Sequence, residues 1–220
     1  MIIHIKISEN CYLKDPDTTE LGKKIIEQSI KLIDEIGFES FTFKKLAKSI
    51  ESTEASVYRY FENKHKLLIY LVSWYWNWIE YRFGIEIYNI QDSYRKLNIF
   101  IDSITRPVKM DDTFIHVDEV ALHRIVVSES SKAYLTKEVD VDNRDGFFVS
   151  FQRLVKNVVD VIKEINPKYA FPASLVSTVI ESAHNQKYFS EHLPTLSEVH
   201  TENQLSEFLK DLVFKSIGTK

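Results

Sequence analysis

Thr42, Lys44 and Lys45 stand at the start of a short amphipathic segment, where side chains of these types can bind phosphate groups. A threonine at the N-terminus of a helix can offer an anion its hydroxyl group together with backbone N–H groups that lack a partner in the helix. The two lysines lie off the apolar face of the segment and can neutralise phosphates, which is the main source of affinity for nucleic acid. A plain helix cap and a solvated helix face would use the same residues, and both alternatives stay open.

The elements that must position these side chains are two short helices. Four apolar residues recur at the i, i+3, i+4 and i+7 spacing of one helical face: Phe43, Leu46, Ala47 and Ile50. Thr42 can cap this helix, the polar residues 51–53 interrupt it, and Thr53 can cap a second helix over residues 54–61. Two short helices with such a tight turn predict a helix-turn-helix, whose second helix is shaped to enter the major groove of DNA.

A larger ordered set of residues surrounds these two helices, from about Thr19 to Leu71. The set consists of Gly37, Thr42, Leu46, Ala47, Thr53, the run Val57–Phe61, Lys64, Leu67 and Leu68. It resembles the N-terminal domain of TetR-type transcriptional regulators, over roughly a quarter of the chain. The resemblance implies that Thr53, Glu54, Ser56 and Arg59 face the groove. It also implies that Tyr58, Tyr60 and Lys64 contact the DNA backbone, although Tyr60 suits core packing equally well.

Three residues depart from the pattern that the resemblance leads us to expect. Glu51 stands where the family commonly has a turn glycine, and Ser52 where it has a small apolar residue. Glu54 brings a negative charge close to the groove, where it is repelled unless it accepts a hydrogen bond from a cytosine amino group. The departures bear on affinity and on the bases that are read, and not on the fold.

Aromatic residues are concentrated at positions 74–83, where consecutive side chains point all around a helix. Most can be explained by packing in the core or between subunits. Some can instead line an effector cavity, because such cavities have apolar walls with few polar groups. The candidate residues for this cavity are Trp74, Trp78, Tyr81, His116, Glu119, His123 and His184. The spacing of His116, Glu119 and His123 would put all three on one helical face. It does not match a zinc-binding motif, so we expect no metal.

The composition excludes several classes of protein. One cysteine, Cys11, cannot form a disulfide within the chain, and no Gly-rich phosphate loop or nucleophile motif is present, so we expect neither an enzyme nor a cofactor. The longest uncharged run near the middle, residues 67–79, is too short to cross a membrane, and no signal peptide is recognisable. These features predict a cytoplasmic protein. Residues 42–66 carry a net charge of +3 while the rest of the chain carries −7, which favours a DNA-binding region on an acidic body.

Apolar periodicity predicts an all-α fold in three parts. Residues 1–18 form a loosely attached arm, in which Ile3, Ile5 and Ile7 alternate with polar residues as in a short strand. Residues 19–66 form the helix-turn-helix DNA-binding domain. Residues 67–220 form a helical domain for effector binding and dimerisation. Helix 1 should run over 19–36 and end at Gly37, and helix 4 should run from Asn63 to about Phe83. Further helices are expected near 93–105, 114–127, 146–165, 172–189 and 202–217.

The last two predicted helices carry apolar stripes that few remaining elements of the chain could cover. Pairing them with the same helices of a second copy would give a two-fold four-helix interface, as in the family that the chain resembles. The residues expected at this interface are Leu175, Val179, Leu205, Phe208 and Leu212.

The favoured hypothesis is a homodimeric regulator of transcription that binds a double-stranded DNA operator. It is a repressor released from that operator by a small-molecule effector. The alternative is a helical dimeric interaction protein whose degenerate DNA-binding region no longer binds DNA specifically. An enzyme on a helical scaffold is a third alternative, for which the sequence offers no group of catalytic residues.

Overall fold

The computed structural model describes residues 5, 7–110, 114 and 116–218 of the chain. Eleven α-helices and three short 3-10 helices lie in these residues, which contain no strand. The α-helices are α1 (Glu20–Ser40), α2 (Phe43–Ser49), α3 (Glu54–Tyr58), α4 (Lys64–Ile87), α5 (Ser93–Thr105), α6 (Glu119–Glu129), α7 (Ser131–Tyr134), α8 (Val139–Arg144), α9 (Val149–Ile165), α10 (Pro172–His192) and α11 (Glu202–Ser216). The predicted all-α class is confirmed. None of the described helices is both long enough and apolar enough to cross a membrane.

Helix bounds follow local signals closely where a capping residue is present. Thr19, Thr42, Thr53 and Thr201 each accept a hydrogen bond from the backbone N–H three residues ahead, which fixes the start of α1, α2, α3 and α11. Gly37 has φ of 74° and ψ of 156°, so α1 loses its helical geometry at the predicted position. A short turn then continues to Ser40.

The start of α6 was predicted too early. Asp118 caps this helix by accepting a hydrogen bond from the backbone N–H of Ala121 at 2.8 Å, so α6 begins at Glu119. His116 therefore precedes the helix, and the expectation that it shares a helical face with Glu119 and His123 is wrong. Two short helices, α7 and α8, follow in a stretch for which periodicity predicted none.

The described part of the N-terminal segment is packed, contrary to the expectation of a loose arm. Ile5, Ile7 and Cys11 are buried, and burial raises the pKa of the Cys11 thiol to about 12. The backbone N–H of Leu13 donates to the carbonyl of Tyr60 at 2.8 Å. Ile5 and Ile7 are not in a strand, and Ile3 lies outside the described residues. Apolar burial thus explains the alternating isoleucines without a sheet.

Contacts divide the chain into two compact units. The first comprises Met1–Trp78 and Val108–Ser150, and the second comprises Ile79–Pro107 and Phe151–Lys220. In the first unit, helices α1, α2 and α3, which we call the head, pack around four side chains with no exposed surface: Phe41, Leu46, Val57 and Phe61. Helix α6 packs along α1 in the same unit. The predicted boundary after residue 66 stays a prediction.

The second unit uses its two C-terminal helices to build its own core. Helix α11 packs against α5 and α10, and its residues Leu205, Leu209 and Val213 are buried. Leu175 and Val179 of α10 are buried as well. The expectation that few elements of the chain could cover these stripes is therefore wrong, because α5 lies against α11.

Candidate nucleic-acid interface

Helix α2 presents a row of exposed lysines beside its capping threonine. Thr42 is exposed, and its hydroxyl oxygen accepts from the backbone N–H of Lys45 at 3.2 Å. The ammonium of Lys45 donates to the carbonyl of Ser40 at 2.7 Å, while Lys44 and Lys48 are exposed. Lys48 was not among the predicted site residues, although its position off the apolar face was a usable signal. The row gives α2 the charge that phosphate binding requires.

The start of α3 brings three polar side chains together on the surface. The hydroxyl groups of Thr53 and Ser56 are 2.9 Å apart, and the guanidinium of Arg59 lies 3.4 Å from the Ser56 oxygen. Glu54 is exposed next to them. Side chains at the N-terminus of a recognition helix are those that reach base edges in the major groove. All four residues that the resemblance assigned to the groove therefore lie on one short helix and its flanks.

The turn between α2 and α3 holds Glu51 in a strained backbone conformation. Glu51 has φ of 52° and is the one non-glycine residue with a positive φ in the described part of the chain. A glycine would adopt this conformation without a steric cost, which explains the family's preference for glycine there. Ser52 closes the turn by donating its backbone N–H to the carbonyl of Ala47 at 2.8 Å.

The two tyrosines near the end of α3 have different environments. Tyr58 has 48% of its surface exposed and contacts Phe43 edge to face, with ring centroids 5.0 Å apart. Tyr60 is only 2% exposed, and its hydroxyl lies 2.7 Å from that of Thr19. Tyr58 is thus accessible for the predicted contact with a DNA phosphate. Tyr60 instead packs in the core, and its hydroxyl forms a hydrogen bond with the residue that caps α1.

Lys64, at the first turn of α4, is engaged within the protein. Its ammonium donates to the carbonyl oxygens of Phe38, Glu39 and Phe41, at 3.0, 3.2 and 3.4 Å. It also lies 4.7 Å from the centroid of the Phe38 ring. An ammonium has three N–H donors, and three carbonyls occupy them. The predicted contact of Lys64 with the DNA backbone stays a prediction that this geometry does not favour.

The next two residues of α4, His65 and Lys66, contact a buried carboxylate. Asp142 of α8 is 1% exposed and accepts from Lys66 at 2.8 Å, with the ring nitrogen of His65 at 3.3 Å. The Lys66 ammonium also lies 4.0 Å from the centroid of the Phe147 ring. The basic surface available to DNA is consequently that of α2 and α3. No local pattern pointed to Asp142, which lies 76 residues from Lys66.

Comparison with known proteins gives this surface its context. The family model described as bacterial regulatory proteins of the tetR family matches residues 25–71, which include the whole of α2 and α3. The match covers most of the head and the first turns of α4.

Several solved structures share the fold over most of the chain. AibR in complex with isovaleryl coenzyme A and operator DNA is 16% identical and covers 86% of this chain and 97% of its own, with a TM-score of 0.59. The fatty acid degradation regulator FadR from Bacillus halodurans is 17% identical, covers 89% and 97%, and has a TM-score of 0.60. PfmR from Thermus thermophilus is 14% identical, covers 87% and 97%, and has a TM-score of 0.57. No curated protein matches the chain.

The predicted effector residues of the chain are distributed over both units. Trp74, Trp78, Glu119 and His123 are buried in the first unit, where the Tyr75 hydroxyl lies 2.8 Å from the His123 ring nitrogen. The ring of Trp74 stacks on that of Trp78, with centroids 6.4 Å apart, and meets Phe114 edge to face. His116 lies in the same unit and contacts Asp17 at 3.0 Å. The first unit thus brings four of the candidates into its core and holds His116 at the N-terminal segment.

Two further candidates belong to the second unit. Tyr81 is partly exposed, and His184 is buried on α10. Burial, with a smaller contribution from Lys187, lowers the pKa of His184 to about 4, so its imidazole is neutral at physiological pH. Among the residues that the structure describes, no group of three or more His, Cys, Asp or Glu could hold a metal ion.

Proposed function

We propose that this chain is a DNA-binding regulator of the TetR family, a homodimeric repressor that a small-molecule effector releases from its operator. Helix α6 supports the proposal, because it carries buried polar residues at one end and contacts with the head at the other. Glu119 and His123 are buried near its start. Glu129, the last residue of α6, accepts a hydrogen bond from the backbone N–H of Phe38 in α1 at 3.1 Å. A ligand that displaces the buried end of α6 would act on the helix against which α1 is packed.

The effector must bind the two arrangements of the protein with different affinity, since equal affinity would not change the population of either. Trp74, Trp78 and the Tyr75–His123 pair fill the space beside α6 with their own side chains. An effector that enters there has to replace packed contacts. Such an effector would bind better to an arrangement in which these contacts are already open, and that preference is the difference in affinity that the proposal requires.

Homodimerisation places two heads on one DNA duplex. Two recognition helices related by two-fold symmetry read half-sites about 34–36 Å apart, or a multiple of that distance. Of the five residues predicted at the interface, Phe208 is 43% exposed and Leu212 is partly exposed, so both can contact a partner. Leu175, Val179 and Leu205 are covered within the chain.

The proposal is tested first by its DNA target. Purified protein is mixed with fragmented genomic DNA of the source organism, and the bound fragments are sequenced. We expect a motif with two inverted half-sites, and a reporter promoter carrying that motif should be repressed when the protein is expressed. Recovery of unrelated fragments would instead support the interaction protein with a degenerate head. Activation of the reporter would contradict repression.

The effector is identified next, once the operator motif is known. AibR has been solved with both isovaleryl coenzyme A and operator DNA, so short acyl-coenzyme A thioesters are the first probes, with free coenzyme A as the control. We expect a true effector to lower operator affinity by about 5- to 150-fold, the usual range for allosteric coupling. A ligand that binds the protein and leaves operator affinity unchanged is not the effector.

A further inference from the structure

The break in α1 leaves a backbone donor that a distant side chain accepts. Gly37 leaves the helical conformation, so the N–H of Phe38 loses its place in the helical hydrogen-bond ladder. It donates instead to a carboxylate oxygen of Glu129 at 3.1 Å, in a buried position 91 residues away along the chain. Glu129 is the last residue of α6 and is 9% exposed. The end of α6 is thereby fixed to the end of α1.

Lys132 holds the Glu129 carboxylate in place. Its ammonium lies 2.7 Å from the other carboxylate oxygen of Glu129 and 3.1 Å from the carboxylate of Glu39. The hydrogen bond to Glu129, together with the one to Glu39, raises the pKa of Lys132 against the opposing effect of burial. Glu39 directly follows Phe38. Two neighbouring residues of α1 are therefore bonded to side chains of α6 and α7.

The same short stretch is held by α4 on its carbonyl side. We call residues 37–41 the junction. Three of its carbonyl groups accept hydrogen bonds from the Lys64 ammonium, and the N–H of Phe38 donates to Glu129. The junction leads directly into Thr42 and α2. Its backbone polar groups thus join the head to α4 and to α6 at one place. Hydrogen bonds to charged partners are stronger than neutral ones and fix direction more tightly.

We propose that Glu129 is a positioning residue for operator binding. Its carboxylate fixes the head against α6 at the junction, and so restricts the spacing of the two half-sites that the dimer accepts. The residue contacts no base, so the sequence of each half-site does not depend on it. This inference rests on the proposed homodimer and its two-fold operator, and not on repression or on the effector.

The test compares Glu129→Met with Glu129→Gln in the full-length protein. Methionine has nearly the same length and offers no oxygen, whereas the glutamine carbonyl can still accept from the Phe38 N–H. The matched control is Arg124→Met, which removes an ion pair between the same two helices away from the junction. Lys132→Met, at a side chain 37% exposed, is a milder second variant if Glu129→Met does not fold. Each protein selects from DNA libraries in which two half-sites are separated by a variable spacer.

For Glu129→Met we expect the wild-type half-site sequence and a flattened spacing preference. The penalty for adding or removing one base pair should fall by up to about tenfold, which corresponds to the lower end of the range for one hydrogen bond to a charged acceptor. Glu129→Gln and Arg124→Met should keep the wild-type spacing, and Lys132→Met should change it in the same direction as Glu129→Met. A purely structural role would lower the active fraction equally at every spacing.

Two results separate the failure of this inference from that of the proposed function. If the wild-type protein selects no inverted half-sites, the proposed homodimer on a two-fold operator is wrong. If it selects them and folded Glu129→Met keeps the wild-type spacing penalty, the positioning role of Glu129 is overturned. A folded Lys132→Met protein with the wild-type penalty overturns it as well when Glu129→Met cannot be prepared.

Discussion

Replacing Lys64 with methionine should weaken the fold and leave the salt dependence of DNA binding unchanged. Methionine keeps the unbranched stem and removes the ammonium that binds the carbonyls of Phe38, Glu39 and Phe41. This expectation differs from the role that the family resemblance implies, in which Lys64 holds a DNA phosphate. Distances to three acceptors inside the protein decide between the two roles.

The magnitude follows from the number and quality of the lost contacts. A hydrogen bond involving a charged group contributes about 1.5–3 kcal/mol when it is well made and shielded. Here the site is partly exposed, one acceptor is at 3.4 Å, and water can replace the ammonium at the freed carbonyls. We therefore expect a total loss of about 1–2 kcal/mol in the free energy of unfolding. In a protein of this size that lowers Tm by roughly 2–8 °C.

The assay measures two quantities on the same variants. Unfolding free energy comes from denaturant titration, and operator affinity is measured from low to high salt. Lys44→Met is the matched control, because Lys44 is exposed on α2 and is predicted to bind phosphate. Losing one phosphate contact should reduce the slope of log K against log salt by about 0.9. Lys44→Met should therefore change the slope and keep the stability, whereas Lys64→Met should do the reverse.

The opposite pattern would refute this reasoning. If Lys64→Met reduced the salt slope by about 0.9 and left the unfolding free energy unchanged, the ammonium would be on a phosphate in the complex. Its three carbonyl contacts would then be a feature of the DNA-free protein, without measurable stability.

Three further substitutions test other features of the structure. Glu51→Gly should raise the unfolding free energy by about 0.5–1 kcal/mol, because relief of the left-handed conformation exceeds the extra entropy of an unfolded glycine. His184→Gln should reduce the loss of stability between about pH 6.5 and pH 4. In the wild type the unfolded imidazole takes up a proton below about 6.5 and the folded one does so only near 4, so acid favours unfolding by up to about 3 kcal/mol. Phe208→Glu should give a monomer at micromolar concentration by sedimentation, with little change in stability, because this side chain is 43% exposed.

Each of these has a control and a contradicting result. Glu54→Gly is the control for Glu51→Gly: it places a glycine in the first turn of α3 and should lower the free energy of unfolding. If it raised the free energy instead, the effect of Glu51→Gly could not be assigned to the strained turn. An unchanged acid-unfolding profile in His184→Gln would mean that another group causes the acid sensitivity. Leu135→Glu changes a leucine that is 78% exposed in the first unit and should leave assembly unchanged. A dimeric Phe208→Glu protein with normal operator binding would rule out that surface as the interface.

Local sequence was sufficient wherever the physical cause lies within a few residues. The caps at Thr19, Thr42 and Thr53 satisfy N–H groups three positions ahead, and Gly37 supplies the positive φ at which α1 breaks. Glu51 stands where the family that the chain resembles commonly has a turn glycine, and the structure places a positive φ there. Apolar spacing gave the fold class and most helices, because a helical face repeats every three to four residues.

Tertiary structure decided which polar side chains remain available to DNA. Tyr58 and Tyr60 have the same chemistry and are two residues apart, yet only the packing of α1 against the end of α3 covers Tyr60. Lys64 is no less basic than Lys44, and it is the carbonyls 23 to 26 residues earlier that occupy its ammonium. Glu129 finds its partner 91 residues away. Sequence specifies a donor or an acceptor, but its partner depends on which distant segments the core brings within hydrogen-bonding distance, and no local pattern encodes that distance.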